Sequence, residues 1–304
     1  MFIILLQQML TMLSLIIFGF ILIKRKVLDA DGTKQISTLL SMYVMPASMI
    51  ASFNDAFDFD RLKLFGWAII AALLTITSRI LLNHFVFDKE DRTAKYGVTF
   101  PNSGFFGISI VTALIGIQGI FFMSAYIMCN NILQWTYGRA LISGDRSSMS
   151  IRKVFSNPGM IGATIGLILY IIPLPLPAFM WKAVDSIAAL NTSLAMIIIG
   201  SFLANSDLKA IFTNRTSYKA SLMRLVITPI LAIIIIKLLP INNSEVELVM
   251  TIASVAPAAA NTAILGRVFG GNYEYGARIV VLSSLFSILT IPFMLQFATF
   301  IYAL

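Results

Sequence analysis

Ten apolar stretches of membrane-crossing length follow one another along these 304 residues, with short polar loops between them. A span needs about 20 apolar residues to cross about 30 Å of hydrocarbon. The stretches at roughly 3–23, 36–54, 62–84, 94–114, 118–140, 158–176, 186–205, 218–239, 246–268 and 274–302 meet that length. Hydrocarbon offers backbone groups no water, so such a chain is restricted to helices unless it closes a barrel. Continuous apolar runs of this length favour the all-α polytopic solution. Composition agrees: 58% of the residues are hydrophobic, 12% are charged, and the mean hydropathy is +0.89. The sixth stretch is the weakest, because Pro173, Pro175 and Pro177 crowd its end. The longest loop, about 144–157, joins the fifth stretch to the sixth and leaves no room for a soluble domain.

A net charge of +8 raises the question of nucleic acid, and the placement of the charge argues against it. With the N-terminus outside, 18 of the 22 lysines and arginines fall on inner loops and helix ends, Lys24, Arg25, Lys26, Arg79, Arg224, Arg267 and Arg278 among them. The outer side holds only Arg61, Lys63, Lys182 and Lys237. Basic residues collect on the cytoplasmic side, so the imbalance predicts ten spans with both termini outside. No basic segment precedes the first stretch, so it reads as a span rather than a cleaved signal. Cys129 is the one cysteine, which excludes a disulfide within the chain.

Two stretches are interrupted at their centres. The fourth carries Pro101-Asn102-Ser103-Gly104-Phe105-Phe106-Gly107 and the ninth carries Ala256-Pro257-Ala258-Ala259-Ala260-Asn261-Thr262. Proline removes a backbone donor and clashes with the preceding turn, so each helix is expected to open there. The two prolines stand 156 residues apart, and that offset also lays the third stretch on the eighth and the fifth on the tenth. It predicts two five-helix repeats, 1–141 and 158–304, joined by a cytoplasmic linker at 142–157. An odd number of spans per repeat forces the halves to insert upside down. Broken helices at corresponding places in inverted repeats point to a binding site near the bilayer midplane.

The chemistry expected there is anion binding. A half-helix starts with free N–H groups and roughly half a positive charge, so two such starts at one point hold an anion without lysine. Asn102 and Asn261 add amides, Ser103 and Thr262 add hydroxyls, and Gly104 admits a ligand close to the backbone. Asn131 in the fifth stretch joins Pro101 and Pro257 as a substrate-site candidate. Asn130, Gln134, Ser41 and Pro46 form a secondary set, with interhelical packing as the competing role. Ser283, Ser284, Ser287 and Thr290 read as packing residues. The 14 acidic residues fall in loops or at span ends, which disfavours coupling through a midplane carboxylate. Sodium held by carbonyls and amides stays open. No Walker, dinucleotide or metal-ligand motif is present, so neither a cofactor nor a metal is expected and enzymatic chemistry is disfavoured.

On these residues the chain resembles the auxin efflux carrier family, over essentially its whole length. The span-four motif Pro101–Gly107 is the more specific match, and Ala256–Asn261 the weaker one. The resemblance implies a fold similar to bile-acid and sodium/proton antiporter carriers, with broken spans four and nine crossing. It implies a scaffold from spans 1–2 and 6–7, a moving transport part from spans 3–5 and 8–10, and a homodimer. It implies a carboxylate cargo, a dicarboxylate such as malate being the first expectation, bound at Pro101-Asn102 and carried by an elevator motion across a bacterial inner membrane. A sodium-coupled carrier of bulkier anions and a membrane sensor without turnover are the alternatives.

Overall fold

The computed structural model describes residues 2–172, 176–206 and 208–303. Among them the regular structure is helical, apart from one isolated antiparallel bridge. Helix α1 spans Phe2–Lys24, and α2 covers 30–52 with a widened π-helical turn at Leu40–Val44. Helix α3 is Phe59–Val86, α4 is Arg92–Thr99 and α5 is Ser103–Leu114. Helix α6 covers 120–143, α7 is Pro158–Ile171 and α8 is Ala178–Ala204. Helix α9 is Arg215–Leu238, α10 is Ser244–Val255, α11 is Asn261–Val268 and α12 is Tyr273–Ala303.

Local sequence explains the boundaries. Asp58, Asn157 and Asn243 accept backbone N–H groups at the starts of α3, α7 and α10, satisfying donors that lack an intrahelical partner. Among the described residues, α1, α3, α8, α9 and α12 are each long and apolar enough to cross a membrane. Their outer faces leave Leu10, Ile17, Leu81, Leu238 and Leu289 exposed, as side chains meeting lipid would be. The fourth and ninth stretches are each divided, into α4 and α5 and into α10 and α11. The sixth is shorter than expected, because α7 ends at Ile171. Pro173 and Pro175 lie outside the described residues.

Helix α1 lies along α8, and α2 lies against α7 and α8. The contact of α1 with α8 depends on glycine: a Cβ at Gly200 would stand 2.1 Å from the Ile16 carbonyl oxygen. Helices α3, α6, α9 and α12 enclose α4 and α10. Residues Thr93–Thr99 and Val249–Val255 are buried throughout, so the core sits on the two half-helices that lead into the breaks.

Two of the 18 positions assigned to inner loops and helix ends belong elsewhere. Arg79 and Arg224 have no exposed surface and are the two largest fully buried side chains. Arg79 lies seven residues inside the end of α3 and Arg224 nine inside the start of α9, each directed into the protein. A count by sequence distance from a span end places both at the interface. Their side-chain direction places both in the core. The Arg267 side chain lies outside the described residues.

Candidate functional site

The two breaks meet. Phe100 leaves α4 in an extended conformation (φ −102°, ψ 113°), and Ala256 leaves α10 likewise (φ −56°, ψ 148°). The Asn102 N–H donates to the Pro257 carbonyl at 2.8 Å, and the Ala259 N–H donates to the Phe100 carbonyl at 3.0 Å. Pro101 and Ala258 form the antiparallel bridge between them. Each proline thus lies where the chain has left the helix and its missing N–H is not required. The Ala258 N–H donates to the Ser283 hydroxyl at 3.1 Å. That gives one serine of the tenth stretch a defined role, satisfying unwound backbone.

Beside this crossing lies a cavity of about 260 Å³. Pro101, Asn102, Ser103, Gly104, Asn130, Asn131, Gln134 and Asn261 line it, together with Ser41, Met45, Trp135, Asn157 and Ala260. Three of its walls carry widened π-helical turns, at Leu40–Val44, Ser103–Gly107 and Gln134–Gly138. Such turns recur at functional sites. Pro257 and Thr262 are absent from the described lining. Pro257 serves the crossing through its carbonyl. Thr262 packs between α4 and α12, where a Cβ at Gly97 would stand 3.1 Å from its Cγ2. Pro46 packs on α7, where a Cβ at Gly162 would stand 2.6 Å from its Cα.

The amides are unevenly committed. Gln134 Oε1 accepts from the Tyr96 hydroxyl at 3.0 Å and from Asn261 Nδ2 at 2.8 Å. Asn131 Nδ2 donates at 3.1 Å to Asn157 Oδ1, which also caps the start of α7. Asn130 Nδ2 reaches the Pro101 carbonyl at 3.4 Å and its Oδ1 has no partner. The Ser41 hydroxyl is spent on the Ser37 carbonyl at 2.8 Å. Asn102 Nδ2, Ser103 Oγ and Trp135 Nε1 are buried with no hydrogen-bond partner. Ser103 is 0% exposed and Asn102 6%. Burying such groups unpaired costs about 1–3 kcal/mol each, and all three residues line the cavity. Trp135 was not among the sequence candidates; an indole one residue beyond Gln134 was its only signal.

The two half-helix starts are not equivalent. No side chain caps α5, so its first N–H groups are left without a side-chain acceptor. At α11 the Thr262 N–H already donates to the Ala259 carbonyl at 2.9 Å and Ala263 to Ala260 at 3.1 Å. The expected pair of free starts is therefore weighted toward α5. The described lining contains no charged residue. A larger cavity, about 380 Å³, lies on the other flank of Ala260, lined largely by apolar groups with Lys34, Thr33 and Asn205.

The sequence model of the membrane transport protein family matches residues 4–153 and 145–295, nearly the whole chain. An uncharacterized transporter of Methanocaldococcus jannaschii is 24% identical over 199 residues. That alignment spans 62% of this chain and 63% of the relative, less than two thirds of each. The family model and the relative's name both describe membrane transport proteins. The chain belongs to the membrane transport protein family, that of the auxin efflux carriers.

Proposed function

We propose that this protein is a secondary carrier of small organic anions, dicarboxylates such as malate first among them. The observation that carries the reading is the uncapped start of α5 beside the unpaired Asn102 Nδ2 and Ser103 Oγ. Together they make a neutral, donor-rich wall in a cavity whose described lining has no carboxylate. A carboxylate brings acceptors and charge to that wall, and the helix dipole favours it. A volume of about 260 Å³ lies below the range of drug-sized pockets, which supports a small cargo over a bulky one.

In this reading ten spans form two inverted repeats, and the antiparallel pairing of Pro101 with Ala258 supports that arrangement. Helices α3–α6 and α9–α12 are the moving part, sliding against α1, α2, α7 and α8. Both termini face the outside of a bacterial inner membrane, and the carrier works as a homodimer. The inside-negative potential drives anion export, at about 2.3 kcal/mol per charge per 100 mV. Uptake of labelled malate, malonate, succinate and lactate into proteoliposomes tests the reading. Wild type is expected to carry at least one of them. Asn102→Ala is expected to weaken binding by about tenfold to a hundredfold, the worth of one hydrogen bond to a charged group. Absence of flux for every organic anion by the folded wild type sinks it.

A further inference from the structure

Arg79 and Arg224 are fully buried, and among the described residues no carboxylate pairs with either. The ion pairs among the described residues are Arg61–Asp55, Lys63–Asp60 and Arg278–Glu274. Instead the guanidiniums serve backbone oxygens at the closing ends of α4 and α10, the two half-helices that lead into the breaks. Arg224 donates through Nε to the Ala256 carbonyl at 2.8 Å and through Nη1 to the Val98 carbonyl at 3.1 Å. Its Nη2 donates to the Ser254 carbonyl at 2.5 Å. Arg79 reaches the same Ser254 carbonyl at 3.3 Å, the Thr99 carbonyl at 3.5 Å and the Tyr126 hydroxyl at 2.6 Å. The Ser254 hydroxyl is buried beside them without a partner.

Helix C-termini carry partial negative charge, and unwound carbonyls at the breaks of carriers are natural ligands for a coupling cation. Here that oxygen cluster is already filled. Both guanidiniums are tethered to the chain, so this filling does not depend on an ion taken from solution. We propose that Arg79 and Arg224 are built-in cations that take the place of a coupling sodium ion, so that the anion moves without one. This deepens the carrier reading and rests on it for the meaning of coupling. The occupancy of the oxygen cluster is a separate question with its own measurement. Neither arginine is among the residues lining the cavity, so both are positioning residues.

The experiment measures binding of radioactive sodium to the purified full-length protein, and malate flux in sodium against choline. Wild type is expected to show no saturable sodium binding and equal flux in both salts. Arg224→Ala leaves the Val98, Ser254 and Ala256 carbonyls and the Ser254 hydroxyl facing a gap of cation size. It is expected to gain saturable sodium binding, roughly tenfold above wild type, and to be more heat-stable in sodium than in choline. Arg224→Lys keeps a charge in the gap and is expected to bind no sodium; Arg79→Ala provides a second gap. A generic structural role predicts equal destabilisation of the alanine variants in both salts. Saturable sodium binding by wild type overturns the inference, as does sodium-dependent wild-type flux or folded alanine variants without a sodium response. Should neither alanine variant fold, the wild-type binding measurement decides alone. Missing malate flux counts against the carrier reading and leaves the binding result to stand.

Discussion

Gln134 holds the cavity's polar wall together from behind. Its Oε1 accepts from both Tyr96 and Asn261, so it fixes which way the Asn261 amide points. Gln134→Glu retains an acceptor for both donors and adds a negative charge to the wall proposed to bind anions. Stability is expected to hold near wild type, and malate binding at neutral pH to fall by at least roughly tenfold, the scale of one like-charge contact. An ordinary glutamate titrates near pH 4.3 and burial raises that. The carboxyl is ionised above its pKa and neutral below, so the defect relative to wild type is expected to shrink as pH falls. Binding isotherms at several pH values check this; wild-type affinity at neutral pH would remove Gln134 from the site. At this scale Pro101, Asn102, Ser103 and Asn261 were legible, because proline and amides are conspicuous in an apolar run. Arg79 and Arg224 were not. Each lies less than ten residues from a helix end, where a basic residue usually reaches back to the interface, and direction around the helix decides otherwise.

Element positions were legible from apolar length, and their internal geometry was not. Pro46 and Pro229 mark bends in plain sight. Each clashes with the carbonyl four residues back, on Met42 and Leu225, and the widened turns at Leu40–Val44 and Met223–Ile227 contain those residues. One extra residue per turn changes no hydropathy average, so nothing in the composition announces it. Close helix contacts were equally silent, since the sequence does not say which glycine meets a neighbouring backbone and which does not. The structure separates the two cases. A Cβ at Gly200 would meet the backbone of α1 at 2.1 Å, whereas a Cβ at Gly66 has nothing within 4 Å. Gly200→Ala is expected to cost about 1–3 kcal/mol through forced separation of α1 and α8. Gly66→Ala is expected to be neutral or to stabilise by up to about 1 kcal/mol through helix propensity. Unfolding temperatures in detergent compare them; equal effects would refute the close approach.

For the whole molecule, the site proposed at the crossing does not by itself say how a cargo would reach one side at a time. A ring cluster lies at the far end of the bundle from the 142–157 loop. Phe53, at the C-terminal cap of α2, and Tyr170 of α7 pack on Phe121 of α6, with centroids at 4.9 and 5.1 Å, and Phe65 of α3 joins at 5.1 Å. Arg61 covers the Phe121 ring at 4.8 Å and pairs with Asp55 at 2.5 Å. The Tyr170 hydroxyl accepts from the Asp58 N–H at 2.9 Å. The cavity, by contrast, is bounded by Asn157–Gly159 at the opposite end of α7. If the proposed sliding mechanism holds, α2 and α7 meet α3 and α6 through these rings, and the cluster would close the route on its side of the bundle. Aromatic pairs contribute about 0.5–1.5 kcal/mol each beyond burial, and Phe121 takes part in several. Phe121→Ala is therefore expected to shift the equilibrium toward the outward-open form. A ligand's apparent affinity scales with the fraction of carrier competent to receive it. Malate added outside should then bind several-fold tighter to Phe121→Ala than to wild type, and malate added inside more weakly. Sided uptake and efflux from oriented proteoliposomes separate the two faces. An equal loss on both faces would make the cluster ordinary packing and leave alternating access without its outer gate.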